Sequence, residues 1–128
     1  MTLRSPLSRV LGLGAAKEGF EHWWVQRITS VALVLLTLWF IAALLNLGQL
    51  DYASLRAWLD RPLNAALAVL LVITAVYHSK LGVQVVLEDY VAHKGAKVVS
   101  LIANQFAHLA LGTVAVFAVL RVAFGSAA

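Results

Sequence analysis

His78, Gly82, Asp89 and Tyr90 form the pattern H-x3-G-x6-D-Y near the end of a long apolar run. An ionisable side chain in the middle of a bilayer costs about 3 kcal/mol on insertion scales, so an intramembrane histidine is a functional candidate by default. Neutral imidazole offers a nitrogen lone pair without adding charge, which suits an axial position on haem iron. Gly82 lies one turn further on the same helical face, where a missing side chain lets a flat macrocycle or a second helix approach closely. Asp89 follows His78 by eleven residues, which at about 100° per residue returns nearly to that face, roughly 16 Å along the axis. Tyr90 places a phenol at the same boundary, where it can donate a hydrogen bond to a carbonyl while its ring packs on lipid or an isoprenoid tail. A nitrogen ligand at mid-depth with an acid and a donor at the mouth describes a redox relay.

Each residue also has a plainer explanation. His78 can bridge two helices by a hydrogen bond, Asp89 can end a helix at the headgroups, and Tyr90, Trp23, Trp24 and Trp39 can serve as an interfacial belt. His108 lies at a depth like that of His78, so a bis-histidine haem site within one chain is an alternative, with packing near Asn104 as the simpler role. Lys80 can snorkel toward the headgroups or meet a haem propionate. His22 and His93 fall near the membrane surface, which favours solvated or subunit-contact roles.

The elements that must position these groups are membrane helices. The chain has 128 residues, of which 62% are hydrophobic and 12% charged, with a mean hydropathy of +0.86. A soluble core of this size could not hide so much apolar surface, whereas hydrocarbon accepts it if the backbone satisfies its own hydrogen bonds. No cysteine is present, which removes disulfides, thiolate nucleophiles and iron–sulfur ligation from this chain. The net charge of +4 reads as topological bias, with no nucleic-acid partner.

Three runs, about 28–50, 63–87 and 98–124, are long enough to cross about 30 Å of hydrocarbon. Pro62 suits the first turn of the second helix, and Gly95 marks the tight connection to the third. Residues 1–27 form an N-terminal arm, and the whole chain reads as a single transmembrane domain, residues 1–128. Arg4, Arg9, Lys17 and Arg27 precede the first helix and Lys94 and Lys97 separate the second from the third, against Arg56, Arg61 and Arg121 on the opposite side, so the N-terminus faces the cytoplasm and the C-terminus the far side. The segment "DYASLRAWLD", residues 51–60, then fits a short helix in the far interface.

With these residues in place, the chain resembles the small membrane-anchor (cytochrome b) subunits of succinate dehydrogenase, respiratory complex II. The pattern His78, Gly82, Asp89, Tyr90, the three helices and "HWWVQRITS" entering the first helix carry the resemblance across nearly the whole chain. It implies an all-α membrane protein whose three helices form part of a bundle with a second, cytochrome b-type hydrophobic anchor. A flavoprotein subunit would oxidise succinate, so no residue of this chain acts on succinate, and an iron–sulfur subunit would pass the electrons on.

The two anchors would hold haem b and a ubiquinone-reduction site in a bacterial inner membrane. By the same resemblance His78 is one axial haem ligand and the other anchor supplies the second. Tyr90 would hydrogen-bond a quinone carbonyl and Asp89 would support that site. Arg27 would neutralise a haem propionate or line the quinone mouth, and Trp23 sits in the entry segment beside it. The alternative reading is a non-redox assembly or transporter subunit, with His78 and Asp89 as packing or proton-relay groups.

Overall fold

The computed structural model describes residues 16–125, with side chains from residue 20 onward. Most of the N-terminal arm, residues 1–15, lies outside the described residues. Within them the chain is all helix: α1 (Ala16–Leu45), α2 (Tyr52–Leu59), α3 (Pro62–Tyr90) and α4 (Lys94–Phe124). Three of these, from Phe20–Leu45, Pro62–Tyr90 and Lys94–Phe124, are long and apolar enough to span a membrane.

The helices overrun the apolar runs at several ends. α1 begins at Ala16, well before residue 28, and α4 begins at Lys94 instead of residue 98. Apolarity marks the part of a helix in hydrocarbon, but backbone hydrogen bonding continues into the headgroup layer, where Glu21 or Lys97 is well tolerated. At about 1.5 Å per residue, 29 residues of α3 extend about 43 Å, further than the hydrocarbon alone. α1 instead stops early, at Leu45. Asn46 Nδ2 donates to the Ala42 carbonyl at 2.7 Å, and Gly48 takes φ 72°, a left-handed conformation that suits glycine.

Gly95 is not the connection between α3 and α4. That connection is residues 91–93, and Gly95 sits inside the first turn of α4. His93 is the N-cap, its Nδ1 accepting from the Ala96 N–H at 3.3 Å. A Cβ at Gly95 would meet His93 Cε1 at 3.3 Å, so the glycine makes room for the capping ring.

α3 is the central helix. It packs against α1 on one side and α4 on the other, while the backbones of α1 and α4 make no close approach among the described residues. The short α2 closes one end by packing on both α3 and α4. Here small residues let the backbones approach: Leu59 of α2 is buried with Ala65, Ala68 and Ala123, flanked by Leu55, Trp58, Val119 and Val122. Arg56 Nη2 donates to the Gly125 carbonyl at 2.6 Å, and Asn64 Nδ2 donates to the Trp58 carbonyl at 2.8 Å. Trp58 also meets Trp39, with ring centroids 5.5 Å apart, which ties α2 to α1.

Asp51 caps α2, with its Oδ1 accepting from the Ser54 N–H at 2.8 Å. Hydrogen bonding to Ser54 holds this carboxyl below the ordinary aspartate value. The capping contribution is therefore complete above the unfolded-state value and disappears as pH falls through the lowered one.

An open row of three helices encloses little. No side chain among the described residues is fully buried, and large apolar residues on all three long helices are exposed. Those surfaces suit hydrocarbon or another membrane subunit. The end clamp should dominate the stability of the isolated row. Leu59→Ala should destabilise the chain by about 2 kcal/mol, through lost burial and a cavity, as read by reversible unfolding in mixed micelles. The change Leu38→Ala, at an exposed site, should have little effect.

Candidate functional site

Three polar residues of α1, His22, Gln26 and Thr29, are spaced four and three apart and so share one helical face. That face meets α3 at His78 and Gly82. Thr29 Oγ1 lies 2.9 Å from His78 Nδ1, and Gln26 Nε2 lies 3.4 Å from His78 Nε2. Both ring nitrogens of this half-buried histidine are thus directed at α1. Gln26 and Thr29 are the part of the site that the sequence pattern alone does not single out. Their signal was a polar stripe in an otherwise apolar helix.

The contacts fit one tautomer of His78. A threonine hydroxyl has one hydrogen, and that of Thr29 is within reach of two carbonyls of its own helix, Val25 at 2.9 Å and Gln26 at 3.1 Å. When it donates there, Oγ1 can only accept, so Nδ1 carries the proton and Nε2 the lone pair. A protonated Nδ1 held by a neighbour is the arrangement that orients an imidazole for metal ligation through Nε2. The Nε2 lone pair is met only by the long contact from Gln26.

Gly82 adds space. A Cβ there would meet Gln26 Nε2 at 3.9 Å and nothing else within 4 Å. Packing inside this chain therefore does not demand glycine, although glycine in a helix interior costs roughly 1 kcal/mol relative to alanine. Two buried polar atoms border the same region without partners, His22 Nε2 and Gln26 Oε1. A nitrogen lone pair, a bare stretch of α3 and orphaned polar atoms would suit a flat group held through that nitrogen.

His108 faces elsewhere. Its Nδ1 donates to the Asn104 carbonyl at 3.0 Å, and its Nε2 accepts from Ser79 Oγ at 3.2 Å. Asn104, buried to 8% exposure, donates to the Lys80 carbonyl at 3.1 Å. Both nitrogens of His108 are engaged, Nδ1 within α4 and Nε2 across to Ser79 of α3. Ser79 and His78, adjacent in sequence, point about 100° apart, so the two histidines engage different neighbours. Lys80 Nζ lies 5.7 Å from the centroid of the Tyr77 ring. No group of three or more histidines and acids comes together for a metal ion among the described residues.

Arg27 and Trp23 are brought together, with the guanidinium carbon 5.4 Å from the indole centroid. Trp23 also clusters with Phe20 and Trp24, each pair of rings stacked with centroids 6.0–6.4 Å apart. Asp89 and Tyr90 stand at the end of α3, exposed, Tyr90 to 84%. Among the described residues neither side chain meets a hydrogen-bonding partner, so the structure gathers His78, Gly82 and α1 but leaves the acid and the phenol free at the rim.

Residues 1–120 match the family model described as succinate dehydrogenase/fumarate reductase transmembrane subunit. A succinate dehydrogenase hydrophobic membrane anchor subunit of Rickettsia bellii is 39% identical over 89 residues, 70% of this chain and 71% of that one. The subunit of the same description from Paracoccus denitrificans is 30% identical over 122 residues, 95% of this chain and 94% of its own. A succinate dehydrogenase membrane anchor subunit of Reclinomonas americana is 32% identical over 90 residues, 66% of this chain and 73% of that one. No solved structure matches the chain significantly.

The tautomer assignment is open to direct measurement. In the full chain labelled with 15N-histidine and placed in nanodiscs, His78 should show a protonated Nδ1 and a pyridine-type Nε2. Thr29→Val should reverse or mix the two forms. A protonated Nε2 in the native chain would overturn the assignment.

Proposed function

The chain belongs to the succinate dehydrogenase/fumarate reductase transmembrane subunits, as a hydrophobic membrane anchor, and on that premise we propose that it helps bind haem b and ubiquinone. It would do so together with a second, cytochrome b-type anchor. The single observation that supports this most is the state of His78: Nδ1 is held by Thr29, while Nε2 has only a 3.4 Å contact and adjoins the bare surface of Gly82.

In this reading His78 Nε2 would hold the haem iron together with a ligand from the second anchor. Haem b, when bound, would supply a one-electron iron couple. The chain's own residues bind and orient. Thr29 fixes the tautomer and the plane of the ring, and Gly82 admits the macrocycle. Arg27, held over Trp23, offers a guanidinium to a propionate or to the quinone mouth. At the rim the Tyr90 hydroxyl donates to a quinone carbonyl, and the exposed Asp89 carboxylate is available to accept and pass on the protons that quinone reduction consumes.

Electrons would arrive from succinate through the flavoprotein and iron–sulfur subunits, so the chain itself carries no group for succinate. We place it in the bacterial inner membrane, N-terminus cytoplasmic and C-terminus periplasmic, on the charge distribution described above. The contacts from His78 to α1 also favour a purely structural role for that residue, and absorption spectra separate the two.

In the purified assembly, His78→Ala should abolish or shift the b-type absorption band. Tyr90→Phe should slow quinone reduction about tenfold, the loss expected for one hydrogen bond of about 1.4 kcal/mol, with succinate–dye activity retained. Unchanged spectra and quinone kinetics would remove both assignments.

A further inference from the structure

The polar stripe of α1 is satisfied unevenly. Thr29 Oγ1 has three oxygen or nitrogen neighbours within 3.1 Å. Gln26 has one long contact to His78, and its carbonyl oxygen is buried without a partner. An unpaired buried acceptor costs about 1–3 kcal/mol, so the surroundings do little to hold this amide where it stands. The facing residue of α3 does not pin it either, because that residue is Gly82, whose Cβ position would lie 3.9 Å from the amide nitrogen.

We propose that Gln26 is a latch on His78. Its amide N–H caps the Nε2 lone pair in the haem-free chain, and it swings off that nitrogen, leaving the surface of Gly82 clear, when iron takes the lone pair. The inference rests on the reading of His78 as a haem ligand and adds a positioning residue to it. The exchange is balanced: the lone pair accepts an amide hydrogen in one state and forms the coordinate bond in the other, and no covalent bond breaks.

A neutral amide suits this duty. A bare ring nitrogen in hydrocarbon would bear the full cost of lost hydration, whereas a charged donor would hold the lone pair about twice as strongly and compete with iron. Gln26 satisfies the nitrogen weakly enough to be displaced.

Two readouts test the latch. In the haem-free full chain, labelled with 15N-histidine in nanodiscs, Gln26→Leu should move the Nε2 resonance of His78 to the position of a free pyridine-type nitrogen. Gln26→Asn, one methylene too short to reach, should do the same. In the assembled complex prepared without haem, mixing with haemin should give a Soret band that grows about three- to tenfold faster in the Leu variant, the range that one neutral hydrogen bond allows. An Nε2 resonance unchanged in both variants would overturn the cap. Equal haemin uptake by native and variant assemblies would overturn the latch alone, while a native assembly that takes up no haemin would overturn the reading of His78 on which it rests.

Discussion

An imidazole in the hydrocarbon layer needs both of its nitrogens satisfied, and in this chain both are turned toward α1. The pairing of His78 with Thr29 at 2.9 Å and with Gln26 at 3.4 Å sets the facing of α3 against α1. Interhelical hydrogen bonds of this kind average only about 0.6 kcal/mol where they have been measured in membranes. They therefore contribute orientation more than stability. Their unequal lengths matter more than their sum: one nitrogen is held, and the other is left nearly free.

The rest of the architecture follows from α3 lying between two helices whose backbones stay apart. His78 and Ser79, neighbours in sequence, serve opposite sides, the first toward α1 and the second toward His108 on α4. The α4 side is saturated, since Asn104, His108 and Ser79 satisfy one another and the Lys80 carbonyl. The α1 side carries the orphaned atoms. Polar groups that are fully satisfied hold helices together, whereas partly satisfied ones leave capacity for something else. At the far end, the cluster of Leu59, Ala65, Ala68 and Ala123 anchors the row without touching the polar region, so stability and chemistry are separated along the helix axes.

Much of this was legible in the sequence, because hydrocarbon leaves the backbone few options. Three apolar runs implied three helices, and "DYASLRAWLD" implied the short α2, observed at Tyr52–Leu59. Helix ends were less legible, since residues such as Glu21 and Lys97 continue a helix outside hydrocarbon without any apolar signal. Gly95 was misplaced because a glycine beside a capping histidine looks the same in sequence as a glycine in a turn. In the site, His78 stood out by the cost of its burial. Gln26 and Thr29 did not, since amides and hydroxyls are common in membrane helices and acquire meaning only once the helix opposite them is known. For Asp89 and Tyr90 the position at the rim was legible, but their exposure directs their contacts outside this chain, where its sequence carries no information.

The central claim is that a nitrogen of His78 meets iron, and pulsed EPR of the ferric assembly tests it most directly. With histidine labelled with 15N in this subunit alone, a hyperfine coupling from one directly bound nitrogen should appear in the native assembly and vanish in His78→Gln. No 15N coupling in the native assembly, or a coupling that survives that substitution, would contradict it.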